Sequence, residues 1–122
     1  MILDDLLKRI DVQKPNAYTR QEKIRWVNAL DGMVKRLIID THEDGEYISF
    51  DEYTDKDGDA ELLIPAPFDE LYLHWLEAKI DYANAEYGKY NNSMAMYNAM
   101  YEEFRRWYNR QHLPKAEKFL YF

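Results

Sequence analysis

The chain has 122 residues, 47% hydrophobic, 16% aromatic and 32% charged, with a formal net charge of −7 and no cysteine. This length and apolar fraction predict one domain with its own core and argue against intrinsic disorder. They leave no disulfide, thiolate metal site or cysteine nucleophile, and the acidic balance disfavours a nucleic-acid-binding surface. The start, Met1-Ile2-Leu3-Asp4-Asp5, is acidic where a signal peptide is basic, and no apolar run reaches the ~18 residues of a membrane span. A soluble, intracellular protein without a membrane partner is expected.

Ile2, Leu3, Leu6, Leu7 and Ile10 fall at helical spacing, so the first element is a short amphipathic helix, interrupted by Pro15 and Asn16. Thr19-Arg20-Gln21-Glu22 is a capping-box pattern, in which the Thr19 hydroxyl accepts from the Glu22 amide and the Glu22 side chain reaches back. The stripe Ile24, Val27, Leu30, Val34, Leu37 and Ile38 carries this second helix to about residue 39. Gly32 inside it marks a kink or a close packing partner.

Charge is concentrated in the next segment. Between Asp40 and Glu61 stand ten acids and one base, Lys56, so the window nets −9 and the rest of the chain +2. Such a segment is solvated and repels polyanions. Within it, Tyr47, Ser49, Asp51 and Tyr53 alternate with Ile48, Phe50 and Glu52. Asp55-Lys56-Asp57-Gly58-Asp59 is turn chemistry, and Leu62-Leu63-Ile64 is a possible return strand. The pattern predicts a short acidic β-hairpin between the second and third helices, stopped by Pro65 and Pro67, with Asp69 capping the next helix.

From Leu76 onward, Ile80, Ala83, Tyr87, Tyr90, Met94, Tyr97, Tyr101, Phe104 and Tyr108 recur at alternating steps of four and three, a heptad seam unbroken through Gly88 and Asn91-Asn92-Ser93. It predicts one long C-terminal helix over about 69–111, roughly 60 Å at 1.5 Å per residue. The alternative is a helical hairpin, with Gly88 ending one helix and Ser93 capping the next. Pro114 ends the element, and 112–122 is expected to be a flexible docking tail. The fold class expected is mainly α: a small helical bundle in a single domain, 1–122.

No residue pattern carries chemistry. Asp55–Glu61 resembles the start of an EF-hand loop but has Ala60 where glycine is needed and Ala66 where the glutamate belongs. His42-Glu43 opens like a zincin motif, yet Glu46 stands at the second histidine position. His74 and His112 have no second ligand at metal spacing. Ser49 and Ser93 have no base nearby, and there is no phosphate-binding glycine loop. The expectation is a non-enzyme with no catalytic residue, no metal and no cofactor. Arg105, Arg106 and Arg110 with Trp107 and Tyr108 read as a helix end balancing its dipole, or as a protein contact. Of the 19 aromatics, 11 lie between Phe68 and Tyr108. The seam residues Tyr87, Tyr90, Met94, Tyr97, Tyr101, Phe104 and Tyr108, with Trp75 and Trp107, are therefore the candidate oligomer interface.

Three stretches carry a resemblance. They are Lys23-Ile24-Arg25-Trp26 with Leu30-Asp31-Gly32, then Glu61-Leu62-Leu63-Ile64-Pro65 running into Asp69-Glu70-Leu71-Tyr72, then Tyr87 to Asn98 followed by Trp107-Tyr108-Asn109-Arg110 and Pro114-Lys115. From about Leu3 to Lys115 the chain resembles the head–tail connector, or neck adaptor, proteins of tailed phages and prophages of Gram-positive bacteria. The resemblance implies a virion structural protein, assembled in the bacterial host cytoplasm. It would form a ring of about twelve or thirteen copies beneath the portal protein, meet the next tail-side neck component, and extend a channel that DNA passes without specific binding. Asp51, Glu52, Asp55, Asp57 and Asp59 are then candidates to face the channel, and Lys115, Lys118, Phe119, Tyr121 and Phe122 candidates to dock on the portal. The alternative is a small cytosolic helical adaptor with no virion role.

Overall fold

The computed structural model describes residues 1–115. The chain is mainly helical, a bundle of α1 (Leu3–Gln13), α2 (Arg20–Leu37), α3 (Leu71–Ala83) and α4 (Tyr87–Gln111), with short 3-10 turns at Ile39–Thr41, Gly45–Tyr47 and Phe68–Glu70.

Each helix forms for a local reason. In α1 the apolar residues Leu3, Leu6, Leu7 and Ile10 are buried on one face. The Leu3 and Asp4 amides, orphaned at the helix start, donate to the Ala60 and Gly58 carbonyls at 3.0 and 2.9 Å. Thr19 caps α2, its hydroxyl accepting from the Glu22 amide at 3.1 Å. The reciprocal half of the box is replaced by a Glu22–Arg25 ion pair. The buried stripe of α2 is Ile24, Val27, Leu30 and Val34, and the helix ends at Leu37, slightly short of expectation. At Gly32 an added Cβ would stand 3.9 Å from the Phe50 ring, ordinary contact rather than a steric demand for glycine.

α3 is the centre of the bundle. Leu71, Tyr72, Leu73, Leu76, Ala78, Ile80 and Asp81 are all buried, so it is covered on nearly every side by α1, α2 and α4. The Trp75 indole donates to the Trp26 carbonyl at 2.8 Å, and the Tyr72 hydroxyl reaches Asp31, so α2 runs antiparallel to α3.

Two expected elements are corrected, and Asp69 caps no helix: it lies inside the 3-10 turn Phe68–Glu70, and α3 starts without a side-chain cap. First, the single helix over 69–111 is a helical hairpin, broken at Asn84–Glu86 rather than at Gly88. The Ala85 amide donates to the Tyr82 carbonyl at 3.0 Å and the Glu86 amide to the Asp81 carbonyl at 2.9 Å, the paired bonds of a Schellman ending. Ala85 has φ 58°, the left-handed position that glycine usually fills. Gly88 lies within the first turn of α4, and Ser93 caps nothing: its hydroxyl donates across the hairpin to the buried Asp81 carboxylate at 3.0 Å. The heptad phase survives because the three-residue turn between Ala83 and Tyr87 takes the place of one step of four, and both helices turn their seam towards each other.

Second, the acidic β-hairpin does not form. The described residues contain no sheet, only the isolated bridges Ile2–Glu61 and His42–Pro114. The backbone of the expected strands bonds elsewhere: Tyr53 to the Asn28 side chain, Ala60 and Leu62 to the start of the chain. The segment is an irregular strap along α1 and α2.

Replacing Ala85 with glycine relieves the left-handed strain, and Ala85→Gly should raise stability by about 1 kcal/mol, read as a higher urea midpoint with an unchanged slope.

Candidate functional site

The aromatic seam divides into a buried and an exposed part. Tyr97, Phe104 and Tyr108 belong to the chain's own core. Met94, Tyr101, Trp75 and Trp107 are half-buried against it, with Trp75 and Tyr97 ring centroids 5.1 Å apart and Phe68 and Trp107 5.3 Å apart. Burial raises the Tyr97 hydroxyl well above the ordinary phenol value. Only the end nearest the turn stays open: Tyr87 is 56% exposed and, with Tyr90 and the equally open Tyr82, forms an aromatic cluster with centroids 5.3–5.6 Å apart. Of the candidate interface residues, therefore, Tyr87 alone is exposed, and Tyr90 is half-buried beside it.

Beneath that turn lies a buried carboxylate. Asp81, with no exposure, takes the Lys14 ammonium at 2.5 Å and the Ser93 hydroxyl. These bonds tie the end of α1 and both arms of the hairpin together.

The acidic strap is clamped by Asp31. This side chain has no solvent exposure and accepts from the Tyr53 hydroxyl at 2.5 Å, the Tyr72 hydroxyl at 2.6 Å and the Leu63 amide at 3.3 Å. The Tyr72 oxygen in turn accepts from the Ile64 amide at 2.9 Å. Asn28, one turn earlier in α2, closes both backbone groups of Tyr53, at 2.7 and 3.0 Å. Burial pushes the Asp31 carboxyl above its ordinary value, an effect opposed by the hydrogen bonds from Tyr53, Tyr72 and Leu63. The same burial, with the Asp31 charge, holds both tyrosines as O–H donors.

The five candidate acids do not share one role. Asp55 accepts from Gln21 at 2.9 Å and lies 3.7 Å from the Arg20 guanidinium. Asp57 closes the turn, accepting from the Thr54 amide at 2.7 Å and its hydroxyl at 3.0 Å. Asp51, Glu52 and Asp59 are exposed and have no ion-pair partner among the described residues. Between the strap and α2 lies an open groove of about 420 Å³, lined by Gln21, Arg25, Asn28, Glu52, Thr54 and Asp55 among others.

At the far end of α4, His42 is buried. Its Nδ1 is 2.6 Å from the Ile38 carbonyl and its Nε2 2.8 Å from the Asn109 side-chain oxygen. Tyr108 stacks on His112 at 4.0 Å, and His112 Nδ1 is 2.6 Å from Asp44, a bond that holds the Asp44 carboxyl below its usual range. Lys115 is exposed, its amide donating to the Thr41 carbonyl at 2.8 Å. Lys118, Phe119, Tyr121 and Phe122 lie outside the described residues.

Asp31 and Asp81 are buried carboxylates to which the sequence pattern assigns no role, and His42, which the pattern offers only as the opening of a zincin motif, is buried as well. A signal existed for Asp31: it interrupts the inward stripe beside Leu30, where an acid must find donors. Among the described residues no three His, Asp or Glu side chains converge as a metal site, and no helix is long and apolar enough to cross a membrane. The arrangement can present a fixed field of negative charge and an aromatic contact surface. Comparison with protein-family models, curated proteins and solved structures finds no match.

Tyr72→Phe strips a donor from Asp31 and an acceptor from the Ile64 amide, and should cost about 2–4 kcal/mol in urea unfolding. The raised Asp31 pKa means the folded state binds the extra proton. Its contribution is therefore full below the ordinary value near 3.8 and is lost as pH rises through the raised folded value. The stability of the wild-type chain relative to Asp31→Asn should fall over that window and then level off.

Proposed function

We propose that the chain is a head–tail connector subunit, a virion structural protein that forms a ring beneath the portal and extends the DNA channel. The observation that carries this reading is the clamped acidic strap. Its exposed carboxylates, Asp51, Glu52 and Asp59, ride on backbone held by Asn28 and Asp31. A fixed negative lining lets a polyanion pass without adhering. The three resemblance stretches agree with this assignment, and they fall on α2, on the run into α3 and on α4. A ring also needs two different faces to meet, and the acidic strap and the tyrosine cluster at the α3–α4 turn are chemically distinct. The partners in this reading are further copies of the chain, the portal protein and the next tail-side component.

A second reading, a cytosolic helical adaptor, draws on the outer face of α4, which is free of charge from Tyr90 to Tyr101 and suits a protein partner outside any virion.

Binding to the portal protein of the phage or prophage that encodes the chain separates the two. The connector reading predicts a stoichiometric ring on the portal, and no binding contradicts it. Neutralising the exposed acids, Asp51→Asn with Glu52→Gln and Asp59→Asn, should leave that ring intact and slow DNA passage in reconstituted particles. Loss of the ring would place the strap at a subunit contact instead. Asp55 and Asp57 are unsuited to this test because they pair with Arg20 and close the Thr54 turn.

A further inference from the structure

α4 packs chiefly on α3, and the face of α4 turned away from α3 is exposed along its length. On that face lie Lys89, Asn92, Ala95, Met96, Ala99 and Glu103, with Met96 56% exposed. The twelve residues from Tyr90 to Tyr101 carry no charge, in a chain that is 32% charged overall. A solvated helix face is normally charged, whereas the centre of a protein interface is depleted in charge and enriched in methionine and aromatic residues. Ala95 and Ala99 add little bulk, so a second helix backbone can approach closely.

The charges that bound this face are complementary to themselves. Lys89, Met96 and Glu103 are seven residues apart, so they follow one line along the helix. Lys89 pairs with Glu86 at 2.8 Å and keeps further donors free, while Glu103 has no ion-pair partner among the described residues. A parallel copy would set Lys89 against Lys89 and Glu103 against Glu103. An antiparallel copy centred on Met96 sets Lys89 against Glu103 at both ends.

We propose that in the free protein the outer face of α4 pairs with the same face of a second copy, antiparallel, about a two-fold axis near Met96. This contact uses one face twice and is isologous. It does not rest on the connector reading, whose ring joins two different faces.

Sedimentation velocity of the full chain, over a wide concentration range at low ionic strength, tests the contact. The expected result is a monomer–dimer equilibrium that Ala99→Glu abolishes and Glu103→Lys weakens about tenfold, since two symmetric ion pairs are reversed. Lys89→Glu combined with Glu103→Lys should restore association to within about threefold of the wild type, a rescue that simple loss of folding cannot produce. A chain that stays monomeric at every concentration, an oligomer indifferent to Ala99→Glu, or a double variant no tighter than Glu103→Lys would each overturn the proposal. None of these outcomes bears on portal binding, which is measured separately.

Discussion

The bonds from Tyr53, Tyr72 and Leu63 to Asp31 decide where the acidic segment lies. A carboxylate without solvent exposure is costly unless donors replace its water. Two phenol hydroxyls and one amide do so here, and they come from the strap and from α3. Asp31 thus joins three parts of the chain at one point. The Ile64 amide extends the network through the Tyr72 oxygen, and Asn28 fixes the backbone of Tyr53 just beyond it. A strap rich in acids, whose like charges repel one another, is held against α2. Its free carboxylates are displayed in a fixed place.

Asp81 plays the matching part at the other end of α3. Lys14 and Ser93 bring α1 and α4 to it. With Asp31 of α2 bound to Tyr72 at the start of α3, a buried acid stands near each end of the central helix, and α1, α2, α4 and the strap are each fastened at one or the other. The apolar core supplies most of the burial. The two acids add direction, because each accepts only donors placed by a particular register. α4 packs chiefly on α3 and leaves its opposite face exposed.

Much of this was legible in the residues, and the rest failed for physical reasons. The stripes of α1 and α2 and the Thr19 cap follow from local spacing, and local spacing sets them in the fold. The hairpin over residues 47–64 was read from alternation, but alternation needs a partner strand. Here the backbone bonds of Tyr53 and Ala60 go to Asn28 and to the start of α1. The break at Ala85 was hidden because alanine occupies a left-handed position where glycine is the usual marker, while the real glycine three residues later sits inside α4. The tyrosine seam was correctly apolar, yet one heptad line serves a long helix and an antiparallel hairpin equally well. That ambiguity is why Tyr97, Phe104 and Tyr108, counted among interface candidates, pack in the core. Asp31 has no sequence neighbour that names its donors: Tyr53 and Tyr72 stand 22 and 41 residues away.

Native-state hydrogen exchange at the Tyr53, Leu63 and Ile64 amides measures the clamp most directly. If Asp31 holds the strap as part of the cooperative fold, these three amides exchange only with global unfolding, at the same free energy as the buried amides of α3. Exchange at the rate of an open loop, while α3 remains protected, would contradict the account.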